Sequence, residues 1–216
     1  HSRRSIEIMA ILISALLCTT PSVAEQTTCA EDLFVVEARN GDLANQICSL
    51  ATAISEDLTT CGLVQEKPLS ISVTRRLSHS LGNCLGYFDC EYDEISIVDP
   101  AFLPEEINDD SGYSLVPTDV VLRAVLTHEL AHALASQMAG DRRVPLVDQE
   151  YIAAAMELEF MEERWRQVLL EAANVSPPPK EDLIATWIYL FAPRDFGVNA
   201  WRHFREPENG CELVDD

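Results

Sequence analysis

The sequence has few basic residues, no Cys-x-x-Cys pair and no long apolar run. Only 15 lysines and arginines stand against 36 aspartates and glutamates, and the formal net charge is −21. So acidic a chain is a poor partner for nucleic acid and for anionic membrane surfaces. The missing Cys-x-x-Cys pairs disfavour a cysteine metal site. The longest apolar run is about a dozen residues, whereas a membrane-spanning helix needs roughly 20. These absences argue against a nucleic-acid-binding protein, a membrane-spanning protein and a cysteine metal site.

The N-terminus has the pattern of a secretory signal peptide. A basic pair precedes the apolar run "IMAILISALLC" at residues 8–18, and a small-x-small pattern ends at Ala24. This order predicts cleavage after Ala24 and therefore export to the periplasm or beyond the cell. We expect residues 1–24 to be the signal and residues 25–216 to form a single domain, without membrane association after cleavage.

Six cysteines follow the predicted cleavage site, and in an exported chain they indicate up to three disulfides. Sequence alone leaves the connectivity open. Our expectation pairs neighbours along the chain, Cys48 with Cys61 and Cys84 with Cys90, and leaves Cys29 with Cys211 to join the ends of the domain.

Hydrophobic periodicity predicts a few strands followed by a mainly helical half. Alternation or β-prone composition predicts strands, and 3.6-residue periodicity predicts helices. The expected strands lie at 33–38, 69–77 and 94–99, and the expected helices at 42–58, 119–139, 147–173 and from 180 onward. The acidic stretch "PEEINDDSGYSLVP" is expected to be a loop. The fold class is therefore α+β, with a small sheet packed on helices.

The stretch "VLTHELAHALASQ" within the 119–139 helix carries the clearest chemical signal. His128 and His132 are four residues apart, so they lie on one helical face and could bind the same metal ion. Zinc suits two imidazoles and one further protein ligand, with a position left for water. Glu129 lies beside that water and could act as general base and then as general acid. The alternative is a helix whose histidines are merely buried.

The better candidate for a third ligand is an acidic side chain on the following helix, because no later histidine lies closer than His203. A metzincin would have Gly and His where this chain has Ala135 and Met138, which excludes that class. Glu150 lies eighteen residues after His132, and Glu157 lies two helical turns further along the same face. Geometry leaves both open.

The segment "DQEYIAA" resembles the gluzincins, whose third ligand is a glutamate some 18 or more residues beyond the motif, often followed by an aromatic residue. This resemblance favours Glu150, which precedes Tyr151. It implies a zincin-like fold in which the glutamate-bearing helix runs antiparallel to the HExxH helix. Some gluzincins have an orienting aspartate where this chain has Ala154, so a histidine partner must come from elsewhere, with Asp99, Asp148 or a backbone carbonyl as candidates.

The wider sequence also resembles a group of exported proteobacterial proteins of unknown function that are classed as zincins. The stretches that carry this resemblance are "CLGYFDCEYDEISIVDPAFL", "VLTHELAHALA", "QEYIAAAM" and "FAPRDFGVNAWRHF". Together they cover most of the chain after the predicted signal. The group implies no substrate.

The predicted function is a zinc metallopeptidase that acts on a peptide or protein substrate. Tyr151, Tyr189 and His203 are the candidate donors to the oxyanion of the tetrahedral intermediate. The strand at 94–99 is expected to be a sheet edge that aligns an extended substrate. The alternatives are an exported zinc-binding protein without peptidase activity, a zinc hydrolase acting on a non-peptide amide, and a binding module without metal.

Overall fold

The computed structural model describes residues 24–29, 32–79, 82–109, 111–206 and 210–212. The predicted signal peptide lies outside this part of the chain, apart from Ala24. Within the described ranges, no helix combines the length and the apolar character that crossing a membrane requires.

Five of the strands form one mixed sheet in the order β1-β2-β3-β7-β6. The strands β2, β3 and β7 are parallel, and β1 and β6 pair antiparallel at the two edges. The remaining two strands, β4 and β5, form a separate antiparallel hairpin. The strands are β1 Glu25–Thr28, β2 Phe34–Ala38, β3 Leu69–Thr74, β4 Leu77–His79, β5 Gly82–Cys84, β6 Gly86–Asp89 and β7 Glu94–Val98. The predicted strands at 33–38, 69–77 and 94–99 are confirmed as β2, β3 and β7, although β3 ends at Thr74.

The described part of the chain has seven α-helices and two short 3-10 helices. The α-helices are α1 Gly41–Thr59, α2 Leu103–Glu106, α3 Thr118–Ala139, α4 Leu146–Glu159, α5 Glu163–Ala172, α6 Thr186–Phe191 and α7 Pro193–Phe204. The 3-10 helices are Gly112–Leu115 and Glu181–Leu183. The predicted α+β class is confirmed. The acidic stretch predicted as a loop contains the last three residues of α2 and the first 3-10 helix.

The helix predicted at 147–173 is two helices, α4 and α5. The chain turns at residues 160–162, where the guanidinium of Arg166 donates to the carbonyl oxygens of Leu158, Glu159 and Met161. These carbonyls need partners where a helix ends, and the arginine supplies them. Periodicity continues across the break, so the sequence pattern did not reveal it.

The core lies between one face of the sheet and the helices α1 and α3. Leu69 and Ile71 of β3 are buried, and so are Ile95 and Ile97 of β7. Residues of one strand that are two apart lie on the same face, so these four side chains define the core face. α3 contacts α1, β6 and β7, and α4 packs between α3 and α7. α3 is therefore covered on most sides, which explains its long apolar run.

The predicted disulfide pairing is wrong. The two disulfides join Cys29 to Cys48 and Cys61 to Cys211, whereas Cys84 and Cys90 are free thiols. The extended strand β6 separates Cys84 from Cys90, and its four residues alone span about 13 Å, more than the roughly 7 Å between Cα atoms that a disulfide tolerates.

The predicted edge strand is also wrong. β7, which contains the residues expected at the edge, lies between β3 and β6. Both of its edges are paired, and its side chains Ile95 and Ile97 are fully buried in the core. The edge strand beside α3 is β6, which pairs with β7 alone in this sheet.

Candidate metal centre

The α3–α4 helical hairpin brings His128, His132 and Glu150 together. The imidazole Nε2 atoms of the two histidines are 3.1 Å apart. Glu150 Oε2 lies 3.5 Å from His128 Nε2 and 3.7 Å from His132 Nε2. Gly140, with a positive φ of 58°, ends α3, and only the six residues 140–145 separate α3 from α4, so the two helices fold back on each other. The fold therefore places the Nε2 atoms of both histidines and Oε2 of Glu150 around one common point.

This group of three could hold a metal ion. Its donor atoms all lie within 4.8 Å of one another. Glu150 Oε2 is buried and has no hydrogen-bond partner among the described residues. A buried carboxylate oxygen without a donor is costly, and a cation at the point between the three donors would compensate it.

Glu157, the rival ligand, contacts the other side of His128. Its Oε2 lies 3.0 Å from His128 Nδ1, and its Oε1 accepts a hydrogen bond from the Tyr113 hydroxyl. A carboxylate only accepts, so the neutral imidazole carries its proton on Nδ1 and leaves the Nε2 lone pair toward Glu150. Glu157 is thus placed to orient the histidine.

The residues expected to orient a histidine do not do so for His128. Asp99 accepts instead from the Arg39 guanidinium and from the backbone N–H of Ala101. Glu157 occupies the position that Asp99 or Asp148 was expected to fill, because α4 carries it alongside His128 two turns beyond Glu150.

The charges of the group are strongly coupled. Burial alone would lower the pKa of His128, but its close contacts with the carboxylates of Glu150 and Glu157 and the nearby charge of Glu129 raise the pKa well above its usual range. Burial would likewise raise the pKa of Glu150, but its interactions with His128 and His132 hold the pKa far below the usual range. Without a metal ion, the charged forms of Glu150 and His128 therefore favour each other.

Glu129 is buried between α3 and the edge strand. A Cβ atom added to Gly86 of β6 would lie 2.7 Å from both Cγ and Oε1 of Glu129 and 2.7 Å from Val125 Cγ1. Only glycine fits this close approach. Burial raises the pKa of Glu129, and the carboxylates of Glu150 and Glu157 add to this, although the two histidines oppose it. A carboxylate with a raised pKa is suited to exchange protons near neutral pH.

A cavity of about 380 Å³ opens beside these residues. His128, Glu129, Glu150 and Glu157 line one part of it. The remaining lining comes chiefly from β6, the 3-10 helix at Gly112–Leu115 and the region of α5 to α7. This volume lies within the range of small-ligand pockets.

Of the three candidate oxyanion donors, the structure places Tyr189 at the cavity. Its pKa is raised by burial and by the carboxylates of Glu150 and Glu129, so its hydroxyl keeps its proton at neutral pH. Tyr151 and His203 do not line the cavity; they pair with each other, with the Tyr151 hydroxyl 2.9 Å from His203 Nδ1. Tyr151 follows Glu150 directly, so it points about 100° away around α4.

Sequence reasoning did not single out three further residues of the site. Gly86, Tyr113 and Arg194 all line the cavity. No motif spacing along the chain links any of them to the two histidines, and each reaches the site only through tertiary packing. The available signals were the stretch "CLGYFDCEYDEISIVDPAFL", which contains Gly86, and the stretch "FAPRDFGVNAWRHF", which contains Arg194.

The described chain is thus an α+β protein with a two-histidine, one-glutamate group that could hold a metal ion. It belongs to the DUF6639 family, a family of unknown function, whose model matches residues 34–216. This range includes every residue of the site. No curated protein and no solved structure matches the chain.

Proposed function

We propose that the group binds zinc and that the chain is a zinc-dependent peptidase with a zincin-like active site. Two imidazole nitrogens, one carboxylate oxygen and a position left for water are the ligand set of several catalytic zinc sites. In a tetrahedral site with bonds of about 2.05 Å, neighbouring donor atoms are about 3.3 Å apart. The three separations of 3.1, 3.5 and 3.7 Å lie close to that value. This agreement carries the proposal of zinc.

A bound zinc ion supplies a Lewis acid and lowers the pKa of a bound water to about 7. Glu129 takes the proton of the water that attacks the peptide carbonyl, and then passes it to the departing amine. Its burial and raised pKa support both transfers, since the proton must be held and then released. Tyr189 donates a hydrogen bond toward the developing oxyanion from the cavity wall.

The edge strand β6 aligns the substrate. It pairs with β7 on one side only in the sheet, and Gly86 at its start contacts the cavity beside Glu129. An extended peptide that pairs with the open side of an edge strand gains backbone hydrogen bonds. The part of the substrate peptide that pairs next to Gly86 would then pass beside Glu129.

Export fits the same proposal. The two disulfides are of the kind that persist in oxidising compartments, so we propose a periplasmic or secreted protein. The predicted signal at residues 1–24 remains the sequence argument for it.

The experiment combines metal analysis with a cleavage survey. The chain is purified from an oxidising compartment and offered to casein, peptide libraries and peptidoglycan fragments. We expect about one zinc per chain, which His132→Ala abolishes, and peptide cleavage, which Glu129→Gln abolishes while zinc is retained. Cleavage of peptidoglycan amides alone would favour the non-peptide hydrolase. Stoichiometric zinc with no cleavage would favour a zinc-binding protein without peptidase activity. A folded protein that does not bind zinc would overturn the proposal.

A further inference from the structure

The cavity beside the candidate metal centre extends from that centre into an apolar space. Glu150 lines the cavity, is buried, and has no hydrogen-bond partner for its Oε2 among the described residues. Leu158, Leu169 and Val198 line the same cavity and belong to one hydrophobic cluster, which contains no residue of the metal centre. Leu158 follows Glu150 by eight residues, so the lining extends about 12 Å along α4.

The polar residues that line the cavity near this cluster already have partners. The Tyr113 hydroxyl donates to Glu157, and Ser111 Oγ accepts from the backbone N–H of Tyr113. Arg194 also has an interaction within the described chain. A ligand group that reaches this part of the cavity therefore gains chiefly by burying apolar surface.

Gly197 lines the cavity from the interior of α7. Glycine destabilises a helix interior relative to alanine, so helix formation does not favour it here. It has no positive φ. A Cβ atom built on it would meet Ala154 Cβ at 3.5 Å, which is an ordinary van der Waals separation and unlike the 2.7 Å approach at Gly86. Neither the backbone nor the packing of α7 on α4 requires glycine, and the missing side chain leaves space in the cavity.

This space lies close to the candidate metal ligands. Ala154, which faces Gly197 and also lines the cavity, follows Glu150 by four residues on the same face of α4. The rise along the helix between Glu150 and Ala154 is only about 6 Å. A group bound at the metal centre thus has the space at Gly197 within one helical turn.

We propose that the space at Gly197 receives a large apolar side chain of the substrate, and that Gly197 sets the size of the side chain that is accepted. This inference rests on the proposed peptidase function and names a substrate class for it, peptides with Leu, Phe or Met beside the cleaved bond. The apolar cluster of Leu158, Leu169 and Val198 forms the wall that such a side chain contacts.

Peptide binding to the zinc-loaded Glu129→Gln protein tests this without turnover. N-acetylated, C-amidated pentapeptides have one variable central residue flanked by Gly, Ser and Thr, so only the central side chain is large. Central Leu, Phe and Met are compared with Ala and Gln by ultrafiltration and mass spectrometry, with calorimetry on the best binders. We expect a large apolar centre to bind at least about tenfold tighter than Ala or Gln. Equal binding of all centres, tightest binding of Gln, or no binding by any peptide would overturn the proposal.

Variants at Gly197 connect the preference to this position. In the same background, Gly197→Ala should keep the preference, because a methyl group fits there. Gly197→Leu should weaken the peptides with large centres at least about tenfold and the Ala peptide less than about twofold, with zinc content unchanged. Gln46→Leu is the matched control, because Gln46 is exposed on α1 and lies outside the described cavity lining. A preference for large centres that survives in Gly197→Leu would overturn the proposal.

Val198→Ala keeps the test decisive if Gly197→Leu does not fold. It removes two methyl groups from the cavity lining and so enlarges the apolar space. We expect the affinity for a central Trp, relative to a central Leu, to rise at least about threefold. An unchanged ratio would count against an apolar side chain in this space.

The two proposals fail separately. Cleavage that ignores the size of the neighbouring side chain would leave the peptidase standing and remove the role of Gly197. A size preference that Gly197→Leu removes, in a wild-type protein that cleaves no peptide, would keep the apolar binding space and remove the peptidase.

Discussion

His128 is the residue whose protonation should control metal binding. The carboxylates around it raise its pKa well above 6.5. In the metal-free protein its stabilising contribution is present below pH 6.5 and is lost as the pH rises through the raised pKa. A metal ion must displace this proton, so we expect zinc affinity to increase with pH and binding to release protons. Calorimetry in buffers of different ionisation enthalpy measures both. An affinity that stays flat from about pH 6 to pH 8 would contradict this expectation.

Replacing Glu157 separates orientation of His128 from metal ligation. Glu157→Gln removes a carboxylate that raises the pKa of His128, so the pH dependence of zinc affinity should begin at lower pH than in wild type. It should also weaken zinc about 10- to 100-fold without abolishing binding, as loss of an orienting partner does. Glu150→Gln should weaken zinc far more. Glu159→Gln is the control, because the Glu159 carboxylate accepts from Trp201 and Arg205, away from the two histidines. Equal losses for Glu150→Gln and Glu157→Gln would contradict these roles.

The sequence could name both glutamates but could not assign their roles. Glu150 and Glu157 are separated by two helical turns, so periodicity places them on one face. Which one meets Nε2 and which meets Nδ1 depends on the ring orientation of His128 and on the depth at which α4 packs. Those quantities depend on the tertiary structure. The resemblance to the gluzincins supplied the preference for Glu150, the glutamate that the structure brings together with both histidines.

At the scale of elements, the contact between β6 and α3 sets the position of Glu129, the proposed general base. Gly86→Ala would put a methyl carbon 2.7 Å from Glu129 and Val125, so one of the two elements must shift. We expect a stability loss of about 1–3 kcal/mol, which urea unfolding measures. Peptide cleavage should fall more steeply than zinc content, since the metal ligands lie on α3 and α4.

Gly41→Ala is the matched control for the edge-strand variant. Its added methyl would approach only Glu25 Oε2, at 2.8 Å, and Glu25 is an exposed, flexible side chain that can move away. We expect wild-type cleavage and nearly wild-type stability from it. If Gly86→Ala behaved like this control, the close approach would not position Glu129.

Strand and helix positions followed from the sequence far better than strand order did. Alternation predicted β3 and β7 because burial of one sheet face is a local constraint on residue type. The order of strands in a sheet is not a local property. β6 pairs with β7, so the strand that was expected at the edge lies inside the sheet. The break between α4 and α5 was not predicted for a similar reason. The side chain that bonds to the carbonyl oxygens at the break belongs to Arg166, which lies beyond it in the sequence.

At the scale of the whole molecule, one disulfide joins the two halves of the chain. Cys61 follows α1, and Cys211 follows α7, with 150 residues of separation. Cys29 and Cys48 are only 19 residues apart. The disulfide pairing could not be predicted from the sequence, because cysteine partners are set by the final packing of helices against the sheet. Neighbours along the chain were the wrong choice, since β6 holds Cys84 and Cys90 apart.

The two disulfides should differ in their effect on stability. A disulfide restricts the unfolded chain more when it closes a longer loop, so removing Cys61–Cys211 should cost about 2 kcal/mol more than removing Cys29–Cys48. Urea unfolding of the paired variants Cys61→Ala with Cys211→Ala and Cys29→Ala with Cys48→Ala measures the difference. Zinc content should survive in both, because the candidate ligands lie on α3 and α4, which neither disulfide joins. Equal losses would show that loop closure is not the main contribution, and zinc lost only with Cys61–Cys211 would show that the end of the chain holds the metal centre together.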